Sequence, residues 1–508
     1  GNTFESIFDN ANTQNIGDFD VEWINNIIVV GTGENNSSRS SYAGIGILKS
    51  TDKGKNWENI GLTDSHHIGR VMINPNNYNE IVIGVIGHLY SKNSQRGVFK
   101  TKNGGKTWEK TLYINDDTGV IDLDVDPDNF NIQFATSWQR DRSTWNFNGN
   151  GDKSAIYKSN DAGDSWNLIS TKESGFPTGK GVGRIGISIF DKTTIYAIVD
   201  NQFRRPKIKT VDKKGIDKNE FENMSSIDFN KLNDLDLNKF LNNNGFPKKY
   251  DAIKVKELVK SKEIHPKELK YFLEDANTVM FETPIIGAEV YASNDGGLNW
   301  IKKNSKYLGN LYNTYGYYFG RIHVSPVNKQ HVYIYGVPIL KSLDGGVTYD
   351  SIDFDNVHAD HHDLWINPND SDHLINGNDG GVNMSYDGGK NWTKLNQPNV
   401  GQFYAINVDN AKPYNVYGGL QDNGVWMAKN SSKESLSWHQ SGHNNWTSIM
   451  GGDGMQIQID KRDSNIIYTG SQFGVYYRLD NNSQKRYFIK PKHDLGEKKL
   501  RFNWQTPI

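Results

Sequence analysis

The chain has no cysteine among its 508 residues. That excludes disulfides, thiolate metal sites and a cysteine nucleophile. It also has no apolar run near the ~20 residues a membrane-spanning helix needs, so no transmembrane segment is expected in it. Neither charge sign dominates: 57 lysines and arginines face 59 aspartates and glutamates, a net charge of −2. Nothing therefore draws the chain to nucleic acid or to an anionic membrane. Hydrophobic residues are sparse, at 35%, and glycine, asparagine, serine and aspartate fill much of the remainder. Such a mix suits many short strands joined by turns.

What is present is repetition. Ser50-Thr51-Asp52-Lys53-Gly54-Lys55-Asn56-Trp57 follows the pattern S-x-D-x-G-x-x-W. The pattern returns at 101–108, 159–166, 293–300, 342–349 and 385–392, the fifth copy ending in Tyr349. Its acidic or amide member is Asp52, Asn103, Asp161, Asp295, Asp344 or Asp387, and its tryptophan is Trp57, Trp108, Trp166, Trp300 or Trp392. The acid or amide accepts backbone N–H bonds in a tight turn, and the glycine takes the left-handed conformation the turn requires. The tryptophan packs back between neighbouring sheets. These are Asp boxes, each the hairpin between the third and fourth strands of a propeller blade, and their role is architectural.

Each box closes a longer unit, as in Gly69-Arg70-Val71-Met72-Ile73, then Ile81-Val82-Ile83-Gly84-Val85, then Gly97-Val98-Phe99-Lys100. Four strands make a blade, so an all-β propeller is expected. Two further units, starting near Phe403 and Met455, keep this plan without the box, which makes eight near-complete blades. Gly1-Asn2-Thr3-Phe4 matches the last half of a recurring motif, and Arg501-Phe502-Asn503-Trp504 leads towards another strand. An intact protein longer at both ends is therefore expected.

Three segments are more specific than the box: HADHHDLWINP (358–368), GNDGGV (377–382) and GLQDNGVW (419–426). With them the whole chain resembles the large bacterial repeat proteins labelled glycosyl hydrolase or sortilin-like. The resemblance implies tandem propellers, as in xyloglucan-hydrolysing glycosidases, with residues 1–440 forming the first and 441–508 entering a second. It implies an extracellular or cell-surface setting, in a bacterial outer membrane or periplasm. Sortilin's single larger propeller is the alternative, although nothing here matches the cysteine-rich module that follows it.

Elaboration is confined to one face. Loops 34–43, 88–96 and 138–154, and the insertion 201–286, all join second to third strands, opposite the boxes, and long loops in compact folds are usually functional. Within the insertion, 251–262 and 266–276 read as two short helices flanked by Lys- and Asn-rich linkers. They form either an ornament on their own blade or a lid over the channel.

Counting five residues back from the proline that ends an inner strand gives Arg70, Asp122, Arg321 and Asp363, and Arg184 matches them in Gly183-Arg184-Ile185. Equal register means one layer along the channel, either a ring of structural ion pairs or a ligand-binding crown. Asp122 and Asp363 are also the candidate acid and base of a glycosidase. On the same face His361 and His362 (with His358, Asp360 and Asp363), Asp379 and Asp422 are candidate ligand-binding residues, as are Trp138 and Trp145 for stacking on sugar or peptide. The histidine cluster comes from one loop, which seldom supplies a full ligand set, so no metal or other cofactor is expected. The expectation is a binding or scaffold protein for a protein, peptide or glycan. The alternatives are a glycoside hydrolase and a subunit of a cell-envelope complex.

Overall fold

The computed structural model describes residues 4–206, 215–274, 284–395, 401–433 and 445–508. Short strands rich in Ile and Val form eight four-stranded antiparallel sheets, each with its strands in chain order, and one two-stranded ribbon, Asp141–Arg142 with Phe147–Asn148. The sheets are propeller blades, spanning 16–59, 68–112, 118–168, 182–302, 321–351, 361–395, 403–450 and 457–488. The two units that lack an Asp box form blades 7 and 8. No helix among the described residues is long and apolar enough to cross a membrane.

The chain divides into two compact units: Gly1–Arg205 with Thr283–Asn399, and Pro206–Glu282 with Val400–Ile508. The first holds blades 1–6. Its core lies between blades, where facing sheets interdigitate. Ile27, Val29 and Ile47 of blade 1, for example, pack with Ile68, Val71, Ile81 and Ile83 of blade 2.

The Asp boxes fold as their sequence predicts. Asp52 Oδ1 accepts the Asn56 N–H at 3.0 Å and Ser50 Oγ at 2.8 Å, while Gly54 N donates to Ser50 Oγ at 2.8 Å. These hydrogen bonds hold the Asp52 carboxyl down at about 2. Trp108 Nε1 donates to Ile60 O of the preceding blade at 2.8 Å, and Trp392 Nε1 to Ile352 O at 2.7 Å, so the indoles tie blade to blade.

A second device joins the blades at their first strands. Asp18 and Asp20 accept the Val71 and Ile73 N–H groups of the next blade, each at 2.8 Å. Asp122 and Asp124 do the same for Ile187 and Ile189, at 3.2 and 2.7 Å. Inner strands have no ladder partner on that side, and a buried N–H must be satisfied. An Asp-x-Asp pair reaches alternate residues, the spacing at which a strand's N–H groups face one way.

The second unit contains blades 7 and 8 and the insertion. Among the described residues the insertion has four α-helices, not two, after a 3-10 turn at Lys218–Asn223: α1 (Ser226–Asn230), α2 (Asp234–Asn243), α3 (Ala252–Lys260) and α4 (Lys267–Leu273). The segment read as a linker folds because Ser225 and Asn233 cap α1 and α2 through their side chains, and because Phe229, Leu237, Phe240 and Leu241 share one core with Val255, Val259 and Leu269 of α3 and α4. Leu495 belongs to the same core. Its N–H donates to the Tyr250 hydroxyl at 3.0 Å, and Lys249 pairs with Asp494 at 2.5 Å. The helices are thus fastened to the chain's 493–499 segment.

The strand expected from 501 onward does not form. Trp504 O accepts the Phe473 N–H at 3.0 Å and its Nε1 meets the Tyr404 hydroxyl at 3.2 Å, so this stretch lies along blades 7 and 8 rather than starting another ladder.

Candidate functional site

Six charged residues, one per blade, occupy equivalent positions on the first strands of blades 1–6. Asp18 pairs across its sheet with Gly31, Arg70 with Gly84, Asp122 with Thr136, Arg321 with Tyr335 and Asp363 with Gly377; Arg184 lies in the irregularity between Val182 and Ile185. A register shift falls beside this position in blades 1, 2, 3, 4 and 6. Bulges re-aim side chains and increase local twist, which here turns the charged residue out of the blade's own ladder. Five of the six were legible in the sequence. Asp18 was missed because no proline follows its strand, although Ile16-Gly17-Asp18 repeats the apolar–Gly–charge triplet of Ile68-Gly69-Arg70 and Phe319-Gly320-Arg321.

The layer splits into two parts. Arg70 donates through Nε to Asp122 Oδ1 at 2.8 Å and lies 3.6 Å from Asp18. Both Asp122 oxygens are taken, Oδ1 by Arg70 and Leu123 N and Oδ2 by Ile187 N. The other part is open. Arg184, Arg321, Asp363 and Asp18 line a cavity of about 330 Å³ together with Glu34, Tyr335, His361 and His362. Arg184 Nη1 donates to two carbonyls, Tyr318 O at 3.1 Å and Asn35 O at 3.4 Å. Burial, and then Arg321, push its guanidinium down to about 10.

Two residues of this cavity each hold a buried side-chain atom with no hydrogen-bond partner among the described residues: Arg321 Nη1 and His361 Nε2. Asn376 Nδ2 donates to Asp363 O at 2.9 Å, so its Oδ1 accepts, and it faces His361 Nδ1 at 2.7 Å. That fixes the proton on Nδ1 and leaves Nε2 a lone pair. Burial pushes the imidazole down to about 4, so it is neutral at pH 7. The residues that line the cavity therefore include an unused donor and an unused acceptor, both shielded from solvent.

The carboxyls of the cavity differ. Burial works to raise Asp363, but Arg321, His323 and Arg70 outweigh it and hold the group at about 2. Burial pushes Asp18 up to about 6 against the pull of Arg70 and Arg321. The Tyr335 hydroxyl donates to Asp363 Oδ1 at 3.1 Å.

The remaining candidates scatter. Trp138 is 0% exposed and does not offer a stacking face to solvent. Its ring lies 5.6 Å from the Arg140 guanidinium and 5.9 Å from that of Arg184, and its Nε1 donates to Gly149 O at 2.8 Å, so the loop folds down around it. Trp145 stands clear at 87% exposed. His362 Nε2 meets Asp379 Oδ1 at 2.6 Å. His358 Nδ1 contacts Ala359 O, His361 Nδ1 contacts Asn376 Oδ1 and His362 Nε2 contacts Asp379 Oδ1. Asp422 belongs to the second compact unit, where its N–H donates to Asp453 at 3.2 Å.

No family model matches the sequence, and no curated protein matches it. Among solved structures the chain is similar to the GH74 xyloglucanase from Xanthomonas campestris, at 13% identity over 92% of this chain and 63% of that one, with a TM-score of 0.35. It is similar to the Niastella koreensis GH74 enzyme at 15% identity over 92% and 62%, with a TM-score of 0.36. It is similar to YCF48 from Cyanidioschyzon merolae at 12% identity over 81% and 94%, with a TM-score of 0.36. The chain spans less than two-thirds of the length of the two GH74 enzymes.

Proposed function

We propose that this propeller is a binding protein, of the sortilin-like kind the sequence resembles, which holds a segment of a protein, peptide or glycan on the face opposite its Asp boxes. One observation carries the reading: Arg321 and His361 line a shared cavity, and each holds a buried side-chain atom, Arg321 Nη1 and His361 Nε2, without a hydrogen-bond partner among the described residues. An unused buried donor and acceptor each cost about 1–3 kcal/mol, which a ligand that supplies the complementary groups recovers. A peptide unit or a sugar hydroxyl pair presents both. Trp145 and the long second-to-third-strand loops would extend the contact outward. The setting is extracellular or on a bacterial cell surface, within a tandem-propeller protein and in reach of cell-envelope partners. Peptide and glycan arrays probed with the intact chain test this. Binding should appear in one class and fall at least tenfold in Arg321→Gln and His361→Phe, at unchanged melting temperature. Binding indifferent to both substitutions would place the ligand elsewhere.

Glycoside hydrolysis is the second reading, and the split between Asp18 and Asp363 favours it. A carboxyl raised towards neutrality beside one held ionised is the division an acid and a base require. The acid would then be Asp18, which lines the cavity with Asp363, rather than Asp122, which is not among its lining residues. Release of reducing ends from a polysaccharide, abolished in both Asp18→Asn and Asp363→Asn, would establish this reading over the first.

A further inference from the structure

Away from the central cavity, two loops of blade 2's approach bring together Asp64, His66 and His88. Asp64 and His66 lie on the connection from blade 1 to blade 2, and His88 on the loop after Asn77–Val85. One side-chain ligand atom from each lies within 4.8 Å of the others. His88 Nε2 is 3.1 Å from Asp64 Oδ1 and 3.0 Å from Asp64 O, while Nδ1 contacts Ser91 Oγ at 2.8 Å. The His66 ring stacks on His88 at 3.6 Å and makes no hydrogen bond among the described residues. His66 holds φ at 56°, a left-handed value that non-glycine residues seldom adopt.

We propose that Asp64, His66 and His88 bind a divalent transition-metal ion, with zinc as the representative. Two imidazoles and a carboxylate suit ions of borderline softness and leave coordination positions to water or a ligand. The Ser91 hydroxyl can serve either His88 tautomer: it donates to Nδ1 when Nε2–H is on Asp64, and accepts Nδ1–H when the Nε2 lone pair is turned to a metal ion beside Asp64 Oδ1.

The scaffold around these residues is also built to hold them. Arg96, 2% exposed, donates to Ile86 O at 2.9 Å and to His88 O and Ser91 O at 2.8 Å, so its guanidinium organises the loop that carries His88. Its Nε donates to Asn93 Oδ1 at 2.9 Å, and Asn93 Nδ2 donates to Asp64 O at 2.8 Å, which ties the second loop to the first. Outer partners of this kind orient metal ligands and typically change affinity 10–100-fold when lost. A merely structural arginine in a loop would not need to link the two ligand-bearing segments.

The test uses the full chain, stripped with chelator and titrated with Zn2+ by calorimetry, and with Co2+ by visible absorption. One equivalent should bind to this site, with the d–d bands of a nitrogen- and oxygen-ligated cobalt. His66→Ala and His88→Ala should each weaken it at least tenfold and erase those bands, whereas His361→Ala should leave them unchanged. Asn93→Ala, which keeps all three ligands, should weaken binding and so distinguish a built site from adventitious histidines. Absence of a stoichiometric site, or cobalt spectra that survive both histidine substitutions, would overturn the proposal and leave His88 as a hydrogen-bond partner of Asp64 alone.

Discussion

Asp124 illustrates how a single residue couples the inner ring to pH. Its carboxyl accepts two backbone N–H groups, yet burial pushes it up to about 7 from an ordinary 3.8. A raised folded-state value means the fold prefers the neutral acid. That contribution is complete below about pH 4 and is lost as pH rises through 7. Asp18 and Asp200, both at about 6, act in the same direction. Asp363 acts oppositely, favouring the fold above about 4 and losing that contribution as pH falls towards 2. Asp124 therefore adds a downward slope of up to roughly 1.4 kcal/mol per pH unit between pH 5 and pH 7 to the stability measured by denaturant unfolding, set against the upward slope of His67, His323 and His361, which burial holds neutral at about 3, 4 and 4. Asp124→Asn should flatten that slope; parallel profiles for the two proteins would show that Asp124 does not titrate in this window. Trp300 makes a simpler case. It is 4% exposed and meets Phe176 edge-on at 5.3 Å, so Trp300→Ala should cost about 3–5 kcal/mol by chemical denaturation. An unchanged midpoint would mean the box tryptophan is not part of the core.

At the level of strands, blade contact depends on two glycines that precede the charged layer. A Cβ on Gly17 would fall 2.1 Å from Ile68 O, and one on Gly69 would fall 2.5 Å from Ile121 O, each in the next blade's first strand. Gly69→Ala should destabilise by about 1–3 kcal/mol, because a backbone oxygen cannot swing aside. Gly377, on a second strand with open space around it, is the control: Gly377→Ala should be neutral or slightly stabilising. Equal melting temperatures for the two variants would refute tight packing of adjacent blades. The strands and boxes were legible in the sequence because alternation and the Ser-x-Asp-x-Gly turn are local signals. So was most of the charged layer, since proline marks strand ends. Helices α1 and α2 were not, because Asn and Asp are poor helix formers whose capping role shows only when the Phe229–Leu237–Phe240 core is assembled. The burial of Trp138, the pairing of Asp18 with Asp363 across a cavity, and the meeting of His66 with His88 depend on contacts between distant segments, which no single stretch encodes.

For the molecule as a whole, the insertion leaves blade 4 from a hairpin end that is closed without it. The flanking strands stay paired up to Arg204 and Ile285, and Arg205 N donates to Pro284 O at 3.0 Å, so the chain exits and returns at a closed hairpin end. Replacing residues 206–283 with a short Asn-Gly turn should leave the melting transition of the first unit within a few degrees of the parent. The same deletion removes the partners of Leu495 and Asp494, so limited proteolysis should cut within 493–499 where the parent resists. A collapse of the β-sheet circular dichroism signal would show instead that blade 4 needs its insertion to fold.

The Asp-x-Asp contacts make the blades directional parts. Blade 1 carries acceptors for the edge of blade 2, and blade 3 for that of blade 4; blade 4 meets blade 5 differently, with Ser188 Oγ accepting Val324 N at 3.1 Å. A blade moved to another place in the order would bring acceptors for a neighbour it no longer has, and would leave that former neighbour with bare N–H groups. Although the repeats descend from one pattern, they have ceased to be interchangeable. Recombination within such a chain would be tolerated in units of matched pairs, and shuffling of single blades would be selected against.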